Sequence, residues 1–199
     1  VSKSFFYVII LCLIAFLILI QFNTLTIILG LSSMFLAFSY PFMKRITYWP
    51  QLFLGITFNW GIIMAWAAMN IEISSDIIIL YVSAIFWTLG YDTIYGAQDM
   101  SDDEIIGVKS TAIKFKKNMK LFVATSYLTT IFLVFYLFLE IQFVLSNILI
   151  SFFAISLVYQ IYNFKINNPT SCLNTFKINN FSGLLLFFGI YLKGINYGI

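Results

Sequence analysis

Five of the chain's eight acidic residues lie between positions 92 and 104, in the run Tyr91-Asp92-Thr93-Ile94-Tyr95-Gly96-Ala97-Gln98-Asp99-Met100-Ser101-Asp102-Asp103-Glu104. Their spacing carries chemical meaning. Asp92, Asp99 and Asp103 are seven and four residues apart. At about 100° per residue, three such positions fall within roughly 40° of one another on a helix. Tyr95 adjoins the same face. A helix running through this segment would therefore present three carboxylates in one stripe. Like charges at that spacing repel one another, and hydrocarbon disfavours charge. A divalent cation relieves both costs. Mg²⁺, a hard ion, takes carboxylate oxygens, keeps several waters and is readily shared with phosphates. The plainer reading is a solvated loop, and Gly96 favours it, since a mid-helix glycine costs about 1 kcal/mol relative to alanine.

Other residue types narrow the chemistry. Histidine is absent, which excludes HExxH zinc sites, Ser-His-Asp triads and histidine proton relays. Cys12 and Cys172 lack metal-ligand spacing, and a disulfide between them is not expected. Any reaction must run on carboxylates, Lys, Arg, Tyr and a bound ion.

The elements that would position these groups are membrane helices. The chain has 199 residues, 61% hydrophobic and 10% charged, with mean hydropathy +0.96. A water-soluble fold needs a more polar surface than that. Seven apolar stretches qualify or nearly qualify as spans: residues 5–20, 25–42, 52–69, 77–91, 121–139, 143–162 and 181–195. Most exceed a barrel strand in length and lack period-two alternation, so an all-α, multi-pass bundle is expected. With seven alternating helices, Lys3, Lys44, Arg45, Lys109, Lys114, Lys116, Lys117, Lys120, Lys165 and Lys177 share one side. Glu72, Asp76 and Glu140 lie on the other. The basic side is then cytoplasmic or its organellar equivalent. Lys193 fits neither side cleanly. Lys114, Lys116, Lys117 and Lys120 read as surface charges facing anionic lipid. The longest polar interval, between the fourth and fifth spans, contains the acidic cluster, and every other loop is short.

Asp92-x-x-Tyr95-x-x-x-Asp99-x-x-x-Asp103, followed by Ile106-Gly107-Val108-Lys109-Ser110-Thr111-Ala112, resembles the second aspartate-rich motif of the UbiA superfamily of intramembrane prenyltransferases. The Tyr-Asp-Thr opening and Gly-x-Lys-Ser-Thr-Ala tail are most similar to the branch that prenylates 4-hydroxybenzoate. Tyr40-Pro41-Phe42-Met43-Lys44-Arg45 resembles the family's Tyr-x-x-x-Lys motif, and the span holding Gly55 and Asn59-Trp60-Gly61 resembles the helix after it. Gly96 stands where the family usually has Ala.

The resemblance implies transfer of a polyprenyl group from polyprenyl diphosphate to the ring of 4-hydroxybenzoate, a step of ubiquinone biosynthesis. It implies Mg²⁺ held by Asp92, Asp99 and Asp103. Lys44, Arg45 and Lys109 would neutralise the departing diphosphate, and Tyr40 and Tyr95 would contact substrate. Family members have nine helices and a first motif, Asn-Asp-x-x-Asp-x-x-x-Asp, which this chain lacks. The expectation is a single domain over residues 1–199, corresponding to the last seven helices, and inactive alone. A bacterial inner membrane is favoured over a mitochondrial one. No nucleic acid and no obligate protein partner is expected. The competing readings are a haem, menaquinone or chlorophyll prenyltransferase, a cation transporter, and a non-catalytic remnant.

Overall fold

In the computed structural model the described residues are 2–70, 72–139 and 144–197. Glu140, and Phe143 at the start of the sixth predicted span, lie outside them. The seven predicted stretches are all helical. Chain order gives α1 (Ser2–Leu19), α2 (Thr24–Ile46), α3 (Pro50–Phe58), α4 (Trp60–Met69), α5 (Ser75–Gly96), α6 (Met100–Ile106), α7 (Thr111–Lys114), α8 (Met119–Phe138), α9 (Val144–Asn163), α10 (Pro169–Lys177) and α11 (Asn179–Tyr197). Among the described residues five segments are long and apolar enough to cross a membrane: Thr24–Ile46, Pro50–Met69, Ser75–Gly96, Lys116–Phe138 and Val144–Asn163. Helices α1 and α11 occupy the first and seventh apolar stretches. The protein is a multi-pass helical membrane protein.

The third predicted span is not one helix. It breaks at Asn59 (φ −87°, ψ 1°) between α3 and α4. The Asn59 amide donates to Gly55 O at 2.8 Å, to Thr88 Oγ1 at 2.8 Å and to Ala84 O at 3.2 Å. A polar side chain that bonds a neighbouring helix satisfies groups a broken helix would leave bare in lipid.

Helix α5 is the centre of the bundle. It packs against α3, α4, α8 and α10, whereas α1 touches chiefly α2. Half of α5's apolar window is buried, against 11% for α2. In lipid the helices gain little from apolar association, so close packing and polar cross-links hold them. Gly90 of α5 lets the Tyr127 ring of α8 lie against the backbone, and a Cβ there would stand 2.6 Å from Tyr127 Cδ1. The fully buried Tyr127 hydroxyl donates to Gln160 Oε1 at 2.8 Å. Asn179 Nδ2 donates to the same oxygen at 3.0 Å, and Trp87 Nε1 donates to Asn179 Oδ1 at 2.9 Å. This network joins α5, α8, α9 and α11.

The two ends of the bundle differ in charge as the sequence requires. Lys109 reaches the end of α2, Lys114 lies over Trp49, and Lys120 over Phe164, all at one end. Lys193 belongs to the opposite end, where its ammonium donates to Leu137 O at 2.8 Å and lies over the Phe138 ring. It serves there as a cap on the last turn of α8.

The ring of Tyr127 cannot retreat from a new methyl group, because its hydroxyl is tied to α9. Gly90→Ala is therefore expected to cost about 1–3 kcal/mol. Tyr127→Phe, which removes one hydrogen bond but leaves Gln160 Oε1 paired with Asn179, should cost only about 1 kcal/mol. Thermal unfolding in detergent, with both variants compared to the parent, checks this ranking.

Candidate active site at the basic end of the bundle

The carboxylate stripe expected from an uninterrupted helix does not form. Helix α5 stops at Gly96, Ala97 to Asp99 make a turn, and α6 starts at Met100 with Asp99 as its N-cap residue (φ −105°, ψ 9°). The N–H of Gln98 turns back to Tyr95 O, and those of Asp102 and Asp103 donate to Asp99 O. Gly96 weakens the helix at this point, and the Asp99 side chain makes no capping hydrogen bond to α6. The three carboxylates are thus distributed over α5, the turn and α6.

They nevertheless share one neighbourhood with the end of α2. Lys44 lies within electrostatic reach of both Asp92 and Asp103, and Tyr40 within reach of Asp92. Asp92 and Tyr40 are partly buried, while Asp99, Lys44 and Arg45 are exposed. Burial is the main influence raising the Asp103 carboxyl above the ordinary carboxylate range. Lys44 opposes that shift, and Asp99 and Asp102 add to it. Arg45 makes no ion pair among the described residues, where the only pair is Lys116 with Glu104 at 2.8 Å. The Tyr95 ring lies against α10, 4.8 Å from that of Phe176.

Lys109 is held differently from the sequence expectation. Its backbone N–H donates to Lys44 O at 2.9 Å, and its ammonium donates to Ile46 O at 3.1 Å. The same ammonium stands 5.6 Å from the centroid of the Tyr48 ring. Its neighbours are bound as firmly. Val108 N–H donates to Asp103 O at 3.0 Å. Gly107 adopts φ +77°, the left-handed conformation that ends α6 and turns the chain toward α2. Ser110 caps α7 through its hydroxyl. Thr111 N–H donates to Gln51 Oε1 at 2.9 Å, and its hydroxyl meets that of Thr93 at 2.7 Å. Gln51 and Phe176 went unnoticed in the sequence. A lone glutamine directly after Pro50 in an apolar run was the available signal for the first; Phe176 offered none.

Among the described residues no three acidic, histidine or cysteine side chains converge closely enough to enclose an ion. The carboxylates are hard oxygen donors set around one rim. Beside them the buried Gln98 Oε1 has no hydrogen-bond donor. These residues fit a hydrated ion shared with a phosphate ligand, and they do not fit a closed protein cage.

The chain is thus a helical membrane bundle with carboxylates and lysines at one rim. The family model for the UbiA prenyltransferase family matches residues 1–182, and the chain belongs to this family. It is 42% identical over 193 residues to the mitochondrial 4-hydroxybenzoate polyprenyltransferase of Aedes aegypti, covering 92% of this chain and 42% of that one. It is 38% identical over 185 residues to the human protein of the same name, covering 89% and 48%. The 4-hydroxybenzoate octaprenyltransferase of Psychromonas ingrahamii is 39% identical over 189 residues, covering 92% and 64%. The chain spans about half the length of the mitochondrial relatives it matches. A solved UbiA homologue from Aeropyrum pernix K1 shares the fold, with TM-score 0.71 and 21% identity over 88% of this chain and 66% of that one.

The Asp103 shift has a definite sign. A carboxyl raised in the folded state holds its proton where the unfolded chain has lost it, so stability falls as pH rises from the ordinary carboxylate value through the folded one. Asp103→Asn is expected to flatten this part of the pH–stability curve, measured by thermal unfolding in detergent across the mildly acidic range.

Proposed function

We propose that this chain is the part of a 4-hydroxybenzoate polyprenyltransferase, acting in ubiquinone biosynthesis, that carries its second aspartate-rich motif. The observation that carries the reading is that Tyr40 and Lys44 from α2 lie within electrostatic reach of Asp92 from α5, and Lys44 also of Asp103 from α6, in a chain of this family. The domain corresponds in this reading to the last seven of nine family helices, with the remaining acidic motif belonging to the other two.

Asp92, Asp99 and Asp103 would hold Mg²⁺ together with the diphosphate oxygens. When bound, the ion supplies positive charge against which diphosphate departs. The chain's own residues do the rest. Lys44, with Arg45 at the rim, counters the negative charge gathering on the leaving oxygen. Tyr40 orients the headgroup from the same helix end. The C–O bond to the allylic carbon breaks, a C–C bond forms to the ring carbon ortho to the acceptor hydroxyl, and that carbon loses its proton. The apolar bundle excludes water from the allylic cation while this happens. Tyr95 and Phe176 would line the approach from α10.

The relatives carry mitochondrial as well as bacterial names, so the comparisons do not favour the bacterial membrane over the mitochondrial one. An inner membrane with the basic rim toward cytoplasm or matrix suits both.

Asp92→Ala, Asp99→Ala and Asp103→Ala in the intact protein are each expected to lower turnover by about a hundredfold or more. The measurement is isotope transfer from a polyprenyl diphosphate to 4-hydroxybenzoate in membranes. Near-parental rates in all three would remove the carboxylates from the site. Transfer only to another aromatic acceptor would redirect the substrate assignment.

A further inference from the structure

The Gly107-Val108-Lys109-Ser110-Thr111 segment was expected to bring a positive charge to the diphosphate. Its hydrogen bonds describe another task. Two of the last three carbonyls of α2, those of Lys44 and Ile46, accept from Lys109, one from its N–H and one from its ammonium. One residue earlier, Val108 N–H is bound to Asp103 O. The segment therefore joins the backbone of Lys44 to the backbone of Asp103 through two consecutive residues. Its far end is fixed independently, through Thr111 to Gln51 on α3 and to Thr93 on α5.

A cationic side chain bound to carbonyls at a helix C-terminus is well placed for that position, because the helix dipole and the unpaired carbonyls both favour it. The aromatic face of Tyr48 adds to the hold on the ammonium. An ammonium engaged this way is directed at α2 and not at the carboxylates. Lys44, one turn from Tyr40 on the same helix, is the cation that senses Asp92 and Asp103.

We propose that Lys109 is a positioning residue, a clamp that fixes the end of α2 so that Lys44 stands opposite Asp103, and that it does not itself contact the diphosphate. Gly107 belongs to the same device, since only its left-handed conformation turns the chain from α6 to α2. The proposal rests on the functional reading above for the role of Lys44.

A double-mutant cycle tests it. Binding of farnesyl thiolodiphosphate, an unreactive diphosphate probe, is measured in the presence of Mg²⁺ on the intact protein in detergent, alongside the melting temperature. Lys44→Met should weaken binding roughly tenfold or more. Lys109→Met should weaken it roughly fivefold in the parent and less than twofold in the Lys44→Met background, because a residue that acts through Lys44 has nothing left to act on. Gly107→Ala, which disturbs the clamp without altering any charge, should behave as Lys109→Met does, and it serves if the lysine variant does not fold. Equal losses in both backgrounds would overturn the proposal, whether they came from direct contact with diphosphate or from general damage to the fold. So would an unchanged affinity for Lys109→Met where Lys44→Met is impaired. If Lys44→Met itself binds the probe normally, the reading of the rim fails first and the clamp with it.

Discussion

Several helix ends meet within a short distance of Asp92, and their backbone groups must all be paired. Helix α2 finishes there with carbonyls exposed, α3 begins, α5 stops, α6 and α7 start. Each end leaves up to four N–H or C=O groups without partners inside its own helix. At the edge of hydrocarbon such groups are costly when bare. The segment from Gly107 to Thr111 resolves the conflict by giving Lys109 to the carbonyls of α2, Val108 to α6 and Thr111 to Gln51 of α3. The placement of Lys44 beside Asp92 and Asp103 follows from that pairing. Charge attraction alone would not fix it, since exposed ions at such distances gain little in a medium that water can enter.

The deeper part of the bundle makes this rim possible by holding α5 still. Asn59 reaches across from the α3–α4 break to Ala84 and Thr88, Thr130 of α8 donates to Ser83 O, and Trp87 donates to Asn179. These contacts occupy successive turns of α5 below Asp92. Gly90 sits among them and admits Tyr127. A helix fixed on three sides by polar links and close packing has little freedom to rotate, so its last turn presents Asp92 to the same place. Helices α1 and α2 are the least buried of the long helices.

Helix number, the bundle class and the charged end were legible in the sequence because each rests on composition or on a long pattern. A stretch of apolar residues in a membrane has few alternatives to a helix, and ten basic residues on one side leave one orientation. The failures share a cause: they depend on partners far away in sequence. The break at Asn59 is invisible without Ala84 and Thr88. The carboxylate stripe assumes that α5 continues, and Gly96 argues against it. The hydrogen bonds from Lys109 to the end of α2 are equally hidden, because nothing near it in the chain reveals that helix end. Gln160, which organises the core, is a single polar residue in an apolar run, and Asn179 stands in a polar stretch that gives no sign of a buried partner.

The absence of close ion pairs at this rim has its own physical sense. Among the described residues only Lys116 and Glu104 pair directly, and they lie at the periphery. A tight Lys44–Asp92 or Lys44–Asp103 pair would have neutralised both partners within the protein, and separating them to admit a ligand would have cost part of the binding free energy. Holding the two signs near each other by backbone bonds, without contact between them, avoids that loss. In the proposed reading this leaves the carboxylates free for a cation and the ammonium for an anion. The same arrangement explains why the clamp uses carbonyls as its acceptors. Lys109 could have gripped a carboxylate with greater strength, but it would then have removed from the site one of the oxygens the ligand needs.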